Sequence, residues 1–443
     1  MQTNPHQNPA YKTNSKAGSA LALTVIFIAI LTALAAGILR AALSHRLVAV
    51  AQLRLEQALY AAEAALAEAA QLLVEQDGFI TGSTLHGSGT EGDGTFGYRI
   101  QQLPGWKQFS IHATGTVNGV SRRIDIERAY FPTYANFSMW TRQNGVIYFI
   151  PGEVFDGLVH ADSQMWFWSN ETLGGPVFSN RVTSLAPNYG GSLSHTTFHE
   201  GFERGVTNGT LADVNFHGLR SRAQTSHSGL LLEGNTRIRI EGQRVRITNA
   251  RRGWNNRRVN LQPNQLIYVA DATSGHWSTR PGIVEIDGGT LDGRMTIASD
   301  GDIRINNHLR YAQDPRDDDP EAGIFSQDAL GLISRDNVWV TQDAPNNLEI
   351  FGAIMATGRK AGSEGSFGVL NFQSGPPRGT LMIFGSLVQD VRGPVGTFNN
   401  WGSVSGFDKN YQFDRRFRTS APPYYPELSN RIAFVGWSDG PVL

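Results

Sequence analysis

Residues 19–39 read SALALTVIFIAILTALAAGIL and carry no charge. As a helix rising 1.5 Å per residue, this segment is about 31 Å long, enough to cross the hydrocarbon core of a bilayer. It divides the chain into a short part before the membrane and a long part after it. A cleaved secretory signal would have a shorter apolar region followed by a small-residue cleavage site. Here the apolar run passes directly into more helix-forming sequence. Residues 1–18 are polar, include Lys12 and Lys16, hold no acid and end in Ala17-Gly18. Arg40, His45, Arg46 and Arg54 follow the apolar run, so the balance of Lys and Arg leaves the orientation open.

From Leu43 the pattern becomes one-sided. Leu43, Leu47, Val50, Leu53, Leu59, Ala62, Leu66 and Leu73 keep largely to spacings of three and four, the mark of an amphipathic helix. Eight of the residues between Ala58 and Ala70 are Ala, the strongest helix former. No Pro occurs between Pro9 and Pro104, and Asp77-Gly78 is a suitable stop. One helix is expected over 19–78, with residues 19–39 in lipid.

This region resembles the N-terminus of type IV pilins, and more closely the PilX-type minor pilins. The carrying residues are the basic leader, Gly18 before Ser19, the apolar run, and Leu59-Tyr60-Ala61-Ala62-Glu63-Ala64-Ala65-Leu66. The resemblance implies a leader peptide at 1–18, cut by prepilin peptidase between Gly18 and Ser19, and methylation of the new N-terminus at Ser19. It also implies single-pass storage in the inner membrane with the remainder outside, followed by assembly with other pilins and the pilus machinery at the cell surface. Major pilins usually carry Glu at the fifth mature position, where this chain has Leu23. In that family the carboxylate pairs with the terminal amine of a neighbouring subunit, and a buried carboxylate needs such a partner. GspK-like tip subunits of secretion pseudopili also lack it. A position at or near the filament tip, priming assembly, is the resulting expectation.

Beyond the helix the chain is expected to be α+β overall, with a small antiparallel sheet at 79–130 and a large mainly-β domain at 131–430. Phe96-Gly97-Tyr98-Arg99-Ile100 and Phe109-Ser110-Ile111-His112-Ala113 are short apolar-rich runs. Asn118-Gly119 lies between two further runs, a strong hairpin signal. The rest is broken by many of the chain's 49 Gly into short β-branched runs. A parallel β-solenoid is favoured, with a β-sandwich as the alternative. Residues 431–443 are expected to be a C-terminal tail. Leu330-Gly-Leu-Ile-Ser-Arg-Asp-Asn-Val, Gly375-Pro-Pro-Arg-Gly-Thr-Leu, Arg392-Gly-Pro-Val-Gly-Thr-Phe and Ala421-Pro-Pro-Tyr-Tyr-Pro resemble a bacterial domain of unknown function that often follows PilX-type N-termini. That resemblance implies association with the envelope or a pilus.

The net charge is −1, so binding to nucleic acid would need a local patch. Residues 237–258 supply one: Arg237, Arg239, Arg244, Arg246, Arg251, Arg252, Arg257 and Arg258 against the single acid Glu241, with Trp254 between two Arg pairs. Alternation with Ile and Val puts each strand's Arg on one face. Such a face suits phosphates, with Trp254 stacking on a base or sugar. The competing expectation is a solvated face whose Arg pair with acids from elsewhere. Asp314, Asp317, Asp318, Asp319 and Glu321 form an acidic loop that could hold calcium, without the spacing of an EF-hand; a solvated loop is the plainer expectation. No other cofactor is expected. The absence of Cys excludes disulfides and thiol catalysis, and no nucleophile elbow, Walker A loop or zincin motif occurs, so no enzyme is expected. The aromatics Trp166-Phe167-Trp168, Trp277, Trp339, Trp401 and Tyr424-Tyr425 offer a rival role, binding of surface glycans, with the filling of a core as the plainer expectation. The rival assignments for the whole chain are a type II secretion pseudopilus component and an envelope-tethered, polysaccharide-active β-helix enzyme.

Overall fold

The computed structural model describes residues 16–207, 209–274, 278–318, 325–358 and 363–441. Most of the expected leader, together with Trp277, Asp319 and Glu321, lies outside the described residues. One helix, α1 (Lys16–Glu75), opens the chain. Its 60 residues span about 90 Å. It starts three residues before Ser19, so the Gly18-Ser19 junction lies within its first turn. The N-terminal half is long and apolar enough to cross a membrane and buries nothing in the protein. Leu23, Phe27, Leu31, Leu34 and Leu47 are all at least half exposed. Burial begins at Ala58 and continues through Ala61, Ala62, Ala65, Leu66, Ala69 and Leu73. The helix stops where Gly78 takes a positive φ of 66° and its N–H reaches Leu73 O at 2.8 Å, closing the last turn.

This alanine strip packs on a small antiparallel sheet of β1 (Thr84–Glu91), β2 (Gly94–Gln102), β3 (Gln108–Val117) and β4 (Val120–Tyr130). Asn118 and Gly119 both have positive φ, 49° and 80°, as the predicted hairpin between β3 and β4 requires. Small side chains let the helix backbone come very near the sheet. A Cβ placed on Gly115 would lie 2.3 Å from Ala58 O and 2.4 Å from Ala62 N.

The expected C-terminal tail, 431–443, is corrected by this sheet. Ala433–Pro441 form a fifth strand, antiparallel to β4, with Phe434 opposite Ala129 and Trp437 opposite Ile126. Pairing with β4 satisfies backbone groups that a free tail would leave to water. The large domain is therefore inserted between β4 and the last strand of the small sheet.

The inserted domain is mainly β, and its pairing is overwhelmingly parallel. One ladder runs Gly229–Glu233, Gln265–Ala270, Arg294–Ser299, Ala329–Ser334, Glu349–Ala356 and Pro377–Arg392. It then continues into Phe137–Gln143, Leu158–Ala161, Val182–Ser184 and Phe202–Arg204. Stacking order thus departs from chain order. The chain enters mid-ladder at Phe137, proceeds to one end, and returns past α2 (Phe216–Thr225) to the other end. It climbs back until Leu387 pairs with Met139. A second ladder carries equivalent phenylalanines on successive rungs. Phe155 stacks on Phe178, and Phe178 on Phe198, each at 5.1 Å between ring centres.

A charged lock joins the two parts. Lys107, 8% exposed, donates to Asp77 at 2.6 Å and to Glu427 at 2.7 Å. Its ammonium also sits 5.1 Å from the Phe79 ring and 5.2 Å from that of Phe131. Arg222 of α2 reaches Asp77 at 3.2 Å. Burial raises the Glu427 carboxyl against the opposing pull of Lys107.

Candidate anion-binding surface

The arginine-rich segment forms three adjacent antiparallel strands, Thr236–Gly242, Arg244–Asn249 and Trp254–Asn260. The sequence dictates the sidedness. Ile238, Ile240, Val245 and Ile247 are fully or almost fully buried, so the intervening Arg237, Arg239, Arg244 and Arg246 point outward. Register then brings arginines face to face. Arg239 lies opposite Arg246, and Arg246 opposite Arg258. Like charges directly opposed across strands destabilise a sheet. A row of three across three strands therefore needs counter-charge, from the protein or from a ligand.

The protein supplies part of it. Arg237 pairs with Asp287 at 2.5 Å, and Arg251 with Glu233 at 3.0 Å. Glu241 accepts from Arg246 and lies 3.9 Å from Arg258. The hydrogen bond from Arg246, with the nearby guanidinium charges, holds the Glu241 carboxyl below the ordinary range. Among the described residues no ion pair reaches Arg239, Arg244, Arg252 or Arg257. Some arginines are thus paired with acids from elsewhere, as one of the two expectations had it, and an exposed excess remains among the described residues.

Trp254 is half-buried against the core, and its ring is engaged by arginine. The guanidinium carbons of Arg257 and Arg252 lie 4.8 and 5.8 Å from its centre. It acts as a platform holding cations in place, where the sequence suggested a free stacking face. The turn that delivers Arg251 and Arg252 depends on a residue the sequence reading missed. Asn249 is 1% exposed, donates to Thr236 Oγ1 at 2.7 Å and accepts from Arg252 N at 2.9 Å. Gly253 closes the turn with φ 65°. An Asn two residues before an Arg pair and four before Gly was the available signal.

The acidic loop is put to other uses where it is described. Asp314 caps a short 3-10 turn, accepting from Arg316 N at 3.0 Å, and chelates the Arg316 side chain, which keeps its carboxyl below the usual range. Asp318 accepts from Ser326 N at 2.8 Å, and Asp317 lies in the turn itself. Among the described residues no three potential ligand side chains gather as a metal site.

Neither the known family models nor the curated protein sequences match this chain. Among solved structures, the competence-associated pilin ComZ from Thermus thermophilus aligns with 88% of this chain and 98% of its own. The identity is 11% and the TM-score 0.31, too low for the superposition to carry an argument about fold or function.

Proposed function

We propose that this chain is a minor pilin of a type IV pilus or related filament, at or near the tip, that displays the inserted domain outside the inner membrane. The observation that carries the reading is the two-part helix. Its first half is apolar and unburied, and its second half is seated through alanines on a small sheet. A subunit needs both to wait in a membrane and then pack into a filament shaft. The leader is cut after Gly18 and Ser19 is methylated. Leu23 lacks the carboxylate that would engage a subunit ahead of it, which suits a first subunit.

The inserted domain is a β-solenoid on this reading, supported by the parallel rungs and the stacked phenylalanines. Its role is binding rather than catalysis. The row Arg239, Arg246 and Arg258 is the surface for a polyanion such as DNA. Substituting Gly18 tests the assignment. The variant should accumulate as a longer form retained in the membrane fraction. Normal-length protein in sheared filaments from that variant would refute it.

A further inference from the structure

A second surface of the inserted domain is built differently from the arginine face. The hairpin of Gly396–Asn399 and Gly402–Phe413 carries Trp401 at its turn, 93% exposed. An indole held this far into water loses the free energy that burial would return. Its turn is nonetheless fixed, because Trp401 N donates to Asn399 Oδ1 at 2.8 Å. Two adjoining depressions of about 280 and 450 Å³ open beside the hairpin. They share Ile150, Glu153, Phe398, Ser403, Asp408 and Lys409. Asn399 and Gly402, which flank the Trp401 turn, line the larger one.

The walls are aromatic and the floor is polar. Trp168 and Phe398 stand 5.6 Å apart between ring centres, and Tyr148 lines the smaller depression. On the floor Lys409 donates to Glu153 at 2.6 Å, with side chains 11% and 4% exposed. Ser403 donates to Asp408. Behind them Arg392, 4% exposed, lies 3.8 Å from the Phe149 ring centre. It donates to Ile147 O at 3.0 Å, and its Nη2 has no hydrogen-bond partner among the described residues. The lining thus carries two carboxylates, Glu153 and Asp408, and one cation, Lys409, with Arg392 buried behind it. Unlike the arginine row, this groove has no excess positive charge to attract a polyanion.

We propose that this groove binds a neutral oligosaccharide, with Trp401, Trp168 and Phe398 as stacking surfaces and the Glu153, Lys409, Asp408 and Ser403 cluster as hydrogen-bonding partners. A pyranose has an apolar C–H face that fits against an aromatic ring. Its hydroxyls each need a donor or an acceptor, and the floor offers both without an excess of positive charge. The inference rests on reading the inserted domain as a displayed binding domain. Its test needs no filament, so its failure is separable from failure of the Gly18 experiment.

The detergent-solubilised full chain is titrated with N-acetylglucosamine tetramer and with glucose tetramer, following tryptophan fluorescence and heat. Saturable binding to at least one tetramer is expected, unchanged by high salt. Trp401→Ala, on an exposed turn, should weaken it at least tenfold. Trp437→Ala, on the small sheet, should leave it intact. No saturation by either tetramer up to ~10 mM, binding insensitive to Trp401→Ala, or binding abolished by salt would each overturn the proposal.

Discussion

Gly115→Ala adds one methyl group at the point where α1 rests on β3. Built on the present backbone, that Cβ stands 2.3 Å from Ala58 O and 2.4 Å from Ala62 N, both helix backbone atoms. Ordinary carbon contacts are about 3.5 Å or longer, so the helix must retreat by roughly 1 Å. No side-chain rotation relieves the clash, because neither partner is a side chain. Overpacking of this kind costs about 1–3 kcal/mol. The small sheet with its helix is a unit for which 1 kcal/mol moves the midpoint by about 4–8 °C, so its transition should fall by roughly 5–20 °C. Gly97 supplies the internal control. It pairs with Thr114, one residue along β3, and its added Cβ would meet nothing nearer than 3.6 Å. Gly97→Ala should be neutral or stabilise by up to about 1 kcal/mol through the unfolded state. Thermal unfolding of both variants in detergent, followed by hydrogen exchange of amides 58–69, reads the effect. If Gly115→Ala melts with the parent and these amides remain protected, close helix-to-sheet packing is not what holds the helix down.

Three further outcomes follow from particular side chains. Lys107→Met removes the cation shared by Asp77 and Glu427; it should cost about 3 kcal/mol, the low end for a buried pair since Asp77 is half exposed, seen as a lower denaturant midpoint. Asp390 is buried beside Arg142 at 3.2 Å, and desolvation pushes its carboxyl up to about 7 despite that cation. A carboxyl raised on folding contributes stability below its unfolded pKa and loses it as pH rises through the folded value. Stability should therefore fall between about pH 4 and pH 7, by at most about 4 kcal/mol, and Asp390→Asn should flatten that slope in pH-dependent melts. Replacing Arg239, Arg246 and Arg258 with Gln should lower the slope of log affinity against log salt for DNA by about 2 to 3; retention assays showing an unchanged slope would remove the row from the binding surface.

The sequence makes some of these features legible and hides others. The helix is readable because its apolar length and its later three-and-four spacing are both local signals. The hairpin at Asn118-Gly119 is readable because two positive φ angles demand those residues. The outward Arg of Thr236–Gly242 and Arg244–Asn249 follow from strict alternation. What alternation omits is counter-charge: Asp287 and Glu233 arrive beside the row only through folding. The last strand was hidden because AFVGWSDGP, with two Gly and a Pro, lacks a strand pattern and pairs with residues some 300 positions earlier. The junction of Leu387 with Met139 is equally silent. Parallel rungs of two or three residues carry almost no periodicity of their own.

The last strand also imposes an order of events. As the chain is made, α1 and β1 to β4 come first, and β4 waits with one edge open. That edge is covered only when residues 433–441 arrive, after all of the inserted domain has been made. An unpaired edge is a template for other chains. A chain truncated anywhere in the inserted domain would therefore retain α1 and lack the strand that closes the small sheet. Completion of the inserted domain and closure of the small sheet are therefore tied together, and a chain that stops short leaves the β4 edge exposed to other chains.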